Sequence, residues 1–224
     1  LRREFFTFFR EPSQLVHAAV MVFLIFIFLI SFTGIDLRFL GANPEIQTMI
    51  YLIIFLFNCF LISSITLRFV FPLISLEGET FWKLISSPFN LKKLVVTKFL
   101  VYTIILLIVS LTINTIIHFV INTRLILVST IIIIFVTVTL TAINLGFGGL
   151  FANFKEKNPI RISSSQGAST AFLISLVYLG LVIAILFAPI FNYFYSFYFD
   201  LHNYSPRIII PAVVAIVTIS IPLI

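Results

Sequence analysis

Residues 75–100, SLEGETFWKLISSPFNLKKLVVTKFL, form the longest interruption between the apolar runs of this chain, and their reading decides how the flanking runs are understood. Glu77, Glu79, Lys83, Lys92, Lys93 and Lys98 all fall here, out of 14 basic and 8 acidic residues in the whole chain. Glu79 to Ile85 has the pattern of a short amphipathic helix, with Glu77 and Glu79 near the positive end of its dipole. Ser86, Ser87 and Pro88 stop it, because proline lacks the amide hydrogen and restricts the residue before it. Asn90 is placed to cap a second helix, which carries Lys92, Lys93 and Lys98 and turns wholly apolar from Phe99. The pattern predicts a surface helix feeding a membrane span.

Working outward, the chain has 224 residues, 61% hydrophobic and only 10% charged. An ordinary soluble domain is roughly a quarter charged, so a membrane protein is expected. About 20 apolar residues cross the hydrocarbon core, and on that ruler six runs qualify. They are Leu15 to Gly34, Ile46 to Ile74, Val95 to Ile121, Leu125 to Phe151, Ala168 to Phe191 and Ile208 to Ile224. The expected fold class is all-α, a single polytopic domain over residues 1–224 with six transmembrane helices and a loop at 75–94. Asn122, Thr123 and Arg124 alone join the third and fourth runs, which predicts an antiparallel hairpin. Starting at Leu1 and stopping within an apolar run, the chain reads as a piece of a longer one.

Orientation follows from lysine and arginine. The segment before the first run, the 75–94 loop with the following turn, and the loop after the fourth run together hold Arg2, Arg3, Arg10, Lys83, Lys92, Lys93, Lys98, Lys155, Lys157 and Arg161. The opposite loops hold one each, Arg38, Arg124 and Arg207. The positive-inside rule places the richer side, and the N-terminal end, in the cytoplasm. Arg68 fits this as a side chain snorkelling to the headgroups at the inner end of the second run. The net charge of +6 is then topology and contact with the lipid bilayer, and no nucleic-acid partner is expected.

Single positions carry weaker signals. REFFTFFREPSQL suits a surface elbow with Pro12 at its bend, or a frayed end. Pro72 ends or kinks the second run. Asn114 and His118 lie toward the outer side of the third, where a lone histidine is more often a hydrogen-bonded packing residue than a ligand; no metal site is expected. Gly146, Gly148 and Gly149 fit close helix packing, with a hinge as the other possibility. Tyr193, Tyr195, Tyr198 and Tyr204 mark an aromatic outer stretch from Asn192 to Arg207, either an interfacial belt or a substrate contact. Cys59 is the single cysteine, which excludes an internal disulfide.

No Asp or Glu lies inside the six runs, which speaks against ion-coupled transport and intramembrane hydrolysis. H-E-x-x-H, G-x-S-x-G and the Gly-Lys-Ser/Thr phosphate loop are absent from the sequence, so no enzyme, no cofactor and no nucleotide site of its own are expected.

Two loops carry a family resemblance. Glu79, Thr80, bulky Phe81 and Trp82, Leu84, the Ser-Ser-Pro88 stop and Lys98 resemble the first cytoplasmic loop of type II ABC exporter permeases. NFKEKNPIRISSSQG, residues 153–167, and the opening REPSQ are similar to a poorly characterised branch of ABC exporters whose permeases are longer; the piece resembles their C-terminal half. Glu77 followed by Gly78 departs from the usual approach to the helix. The resemblance implies a coupling helix that seats in a cytoplasmic ABC ATPase subunit, with Glu79, Thr80, Phe81, Trp82, Leu84 and Pro88 as its contacts. Asn158, Pro159 and Arg161 would form a second contact. It further implies a bacterial plasma-membrane permease subunit, driven by a separate ATPase, that moves a peptide, lipid or hydrophobic compound and pairs with a second permease half or another copy. The alternative is a structural or regulatory membrane module that never moves a solute. Composition alone also suits the 75–94 segment to an interfacial helix at the headgroups, whereas the order of its residues favours the docking helix.

Overall fold

The computed structural model describes residues 12–32, 43–80, 86, 91–121, 125–198 and 209–223. The regular structure described there is helical: α1 (Pro12–Phe32), α2 (Pro44–Phe69), α3 (Leu91–Ile121), α4 (Ile126–Leu150), α5 (Pro159–Ser163), α6 (Gln166–Tyr198) and α7 (Ile209–Ser220). Two 3₁₀ turns, Phe71–Leu73 and Ser75–Thr80, follow α2, and a third, Ile221–Leu223, follows α7.

Local chemistry sets the ends of α2. The Asn43 side-chain carbonyl accepts from the Glu45 amide at 3.0 Å, and Pro44 takes the first turn, where its missing N–H is no loss. At the other end Pro72 cannot donate to the helix ladder, and the chain tightens into the 3₁₀ turn Phe71–Leu73. Gly78 (φ 57°, ψ −145°) then breaks the second turn with a backbone conformation that a side chain resists. The break answers the departure noted in the sequence: the chain changes direction at Gly78.

Four helical stretches are long and apolar enough to cross a membrane: Pro44–Gly78, Lys92–Phe119, Ile126–Leu150 and Gln166–Ser196. The first and last of the six expected spans fall, among the described residues, on shorter apolar stretches, Leu15–Ser31 and Ile210–Leu223, so four of the six expected spans are matched. The fifth expected run extends past Phe191, since α6 runs through Pro189 and Asn192 to Tyr198 continue it as helix. Tyr204 lies outside the described residues.

Helix α2 is the central post. It packs along α6 and α4, while α3 lies against α4 as the antiparallel partner the short connection predicts. Half of the membrane-length window of α2 and more, 56%, is buried, against 22% for α3, so α3 presents most of its surface outward. The main cluster joins α2, α4, α6 and α7 through residues such as Ile62, Ile133, Leu140, Leu179 and Ile216. Water does not drive helices together in lipid. Close packing and hydrogen bonds between helices do so instead, and both are traced below.

Candidate functional site

Two polar regions stand apart, one at each end of the bundle. The basic end, where Lys92, Lys93, Lys155, Lys157 and Arg161 lie, is built on the turns after α2. Val70, Phe71 and Ser75 have no exposed surface there. Gly148 of α4 explains the closeness: a Cβ at that position would stand 2.2 Å from the Phe71 carbonyl oxygen. Only a residue without a side chain lets the α4 backbone touch this turn. A Cβ at Gly149 would meet the Ile74 side chain at 3.1 Å, whereas one at Gly146 meets nothing within 4 Å. Close packing therefore accounts for two of the three glycines.

Charge ties the same turn to α3. The Lys98 ammonium donates to the Leu73 carbonyl at 2.9 Å and lies 2.5 Å from a Glu77 carboxylate oxygen, and both side chains are 8% exposed. In the sequence Lys98 reads as one of the basic residues opening a span and Glu77 as lying near a helix dipole; in the structure they form a buried pair. Burial is tolerable because ammonium, carboxylate and backbone carbonyl satisfy one another. The Asn153 amide donates to the Ser75 hydroxyl at 3.0 Å, joining the segment after α4 to the turn.

The stretch around Asn158 and Pro159 is a capped single turn of helix, α5. The Asn158 side chain accepts from the Ile160 amide at 2.9 Å, Pro159 occupies the first position, and Pro159 and Ile162 are buried. Ile162 joins Phe71, Ala168 and Ala171 in a small cluster under the turns. Arg161 points outward and lies 3.7 Å from Glu156. Asn158 and Pro159 thus shape and seat α5 on the bundle, and Arg161 remains at the surface. Among the other residues expected to contact a partner, Glu79 and Thr80 lie on the backbone of the second 3₁₀ turn, and Phe81, Trp82, Leu84 and Pro88 lie outside the described residues.

At the far end the polar groups are neutral. The His118 Nδ1 donates to the Asn114 carbonyl at 2.8 Å, which leaves Nε2 to accept from the Tyr51 hydroxyl at 3.2 Å, with the Ser129 hydroxyl 3.1 Å away. Asn114 donates to Ser129 and Thr130, both at 3.2 Å. His118 is therefore a hydrogen-bonded packing residue, as its isolation in the sequence suggests. Between the two ends Asn144 of α4 donates to the Thr66 hydroxyl of α2 at 3.1 Å and reaches Ser175 of α6 at 3.5 Å. Sequence inspection passed over Thr66, Asn144 and Ser175; a polar residue near the same depth in each of three apolar runs was the available signal.

None of these groups forms a nucleophile with a base. The basic end can instead act as a lever, since the turns after α2 are held at once by α3, α4 and α5.

Comparison with known proteins adds one match. A family model described as "Putative ATP-binding cassette" matches residues 1–224. No curated protein and no solved structure matches. The expectation of a permease subunit driven by a separate ATPase, with no nucleotide site of its own, is corrected by this match, because the family is described by nucleotide binding. The structural module is favoured no better. The physical reason for the miss is narrow: absence of the Gly-Lys-Ser/Thr pattern excludes one loop chemistry and no more.

Proposed function

The chain belongs to this ATP-binding cassette family, and on that premise we propose that it is a helical membrane protein of ATP-binding-cassette transport whose basic end responds to nucleotide. By the positive-inside rule that end faces the cytoplasm. The observation that supports the reading is the shared anchoring of the turns after α2: Lys98 holds them from α3, Gly148 from α4, and Ser75 holds the backbone of Asn153. A displacement at Ser75–Thr80 has no slack to absorb it and is passed to the roots of the long helices, because packed elements shift between discrete arrangements. Phe81 and Trp82, large aromatic residues that follow the turn in sequence, are proposed as contact residues of that end.

Hydrogen exchange of the full-length protein in nanodiscs, with and without MgATP, tests this while a fluorescent nucleotide reports binding in parallel. The expected result is nucleotide binding with altered exchange confined to residues 70–80 and 153–165. Binding without any change there would remove the basic end as the responding face, and no binding at all would remove the nucleotide premise.

A further inference from the structure

Arg68, in the last turn of α2, has a task the lever leaves unused. Its guanidinium donates to the His17 Nδ1 of α1 at 2.9 Å, and His17, as acceptor, is neutral at that atom. The bond orients the guanidinium without cancelling its charge. Of the carboxylates in the described ion pairs at this end, Glu77 goes to Lys98 and Glu156 to Arg161. Arg68 and His17 line a cleft with Phe69, Pro159, Ile160 and Ser163, with an empty volume of about 210 Å³ that includes open solvent. A cation held this way, half-buried at the end of an apolar helix, is expensive unless an anion completes it. The planar fork of arginine suits two oxygens of one phosphate.

A second feature runs from the same cleft. His17, Val20 and Leu24 are spaced i, i+3 and i+7, so they share one face of α1. Val20 and Leu24 are 44% and 41% exposed, while Met21 beside them is turned into the core at 3%. The face is an apolar stripe leading from the cationic cleft along the bundle.

We propose that this cleft binds the phosphate of an anionic phospholipid, with Arg68 on the phosphate oxygens and one acyl chain along Val20 and Leu24. Charge selects the headgroup, since the cation is not matched by a zwitterion. The apolar stripe separates a lipid from a soluble phosphate.

The test uses the full-length protein, with native mass spectrometry and thermal shift against dioctanoylphosphatidylglycerol, dioctanoylphosphatidylcholine, inorganic phosphate and MgATP. The wild type is expected to bind phosphatidylglycerol about tenfold or more tightly than phosphatidylcholine. Arg68→Gln loses that preference, and Lys157→Gln on the exposed loop keeps it. Arg68→Lys, which retains the charge for folding but not the fork, falls between. Equal phosphatidylglycerol binding by Arg68→Gln overturns the site. Competition in the wild type needs no variant to fold: displacement of the lipid by inorganic phosphate or MgATP would overturn the lipid as its occupant and assign the cleft to a soluble phosphate.

Discussion

At the basic end the polar contacts are charged and pass through turns, Glu77 to Lys98 and Lys98 to the Leu73 carbonyl. At the far end Tyr51, His118, Ser129 and Asn114 are neutral and pass directly from helix to helix. The difference follows depth and dielectric. A charge in an apolar bundle is supportable where a backbone carbonyl and a counter-charge converge, and neutral hydrogen bonds suffice where only helices meet. The ionic end is therefore specified by position, one lysine against one turn. The neutral end is shared among several weak contacts, so the loss of any one is expected to cost little.

That contrast breaks if the two ends respond alike to mutation. Lys98→Met withdraws the ammonium from both Glu77 and Leu73 and is expected to destabilise by about 3–5 kcal/mol in detergent unfolding. A double change with Glu77→Gln should recover part of that loss, and a double mutant no better than the single would show that the pair is not the cause. Gly148→Val forces a side chain into the Phe71 carbonyl and is expected to cost about 3 kcal/mol, whereas Gly146→Ala, in open space, is neutral or slightly stabilising. Equal effects at the two glycines would disprove the close approach.

Asn58 sharpens the contrast from the middle of the bundle. It is 1% exposed, and among the described residues neither its side-chain nitrogen nor its oxygen has a hydrogen-bond partner. Asn58→Leu, of similar size, should stabilise by about 1–3 kcal/mol, since an unmet buried amide is lost. Destabilisation instead would reveal a bound water or an alternative pairing of functional use. Asn158→Ala removes the cap of α5 and should cost about 1 kcal/mol, read as faster amide exchange at Ile160 to Ile162. The smallest effect is expected at the neutral end: Tyr51→Phe removes one hydroxyl and should lower stability by about 1 kcal/mol or less. A loss as large as that of Lys98→Met would erase the distinction between the ends.

Much of the helical framework was legible. Long apolar runs without acidic residues leave the backbone only one way to satisfy itself in a membrane, so α2, α3 and α4 could be placed within a few residues of their observed bounds, while α6 runs on past Phe191 to Tyr198. The end of α2 was legible at Pro72 and the α3–α4 hairpin at its three-residue connection. The site was less so. Lys98 sits among other lysines in a basic stretch, and nothing local to it distinguishes a lipid-facing ammonium from a buried one. The order of residues from Phe81 to Pro88 marks a loop motif outside the described structure, and the anchoring that is described falls on Ser75, Glu77 and Gly148, whose types are individually ordinary.

Composition and spacing by themselves determined that this chain is helical, that most of it lies in long apolar runs suited to a membrane, and that its charge gathers at one side, because these depend on residues close in sequence. Only the tertiary structure decided which glycine touches a turn, which lysine is buried and which arginine opens into a cleft. Those outcomes depend on groups many residues apart, Gly148 on Phe71, Asn144 on Thr66, Arg68 on His17, and no local pattern records a distance that only packing brings about.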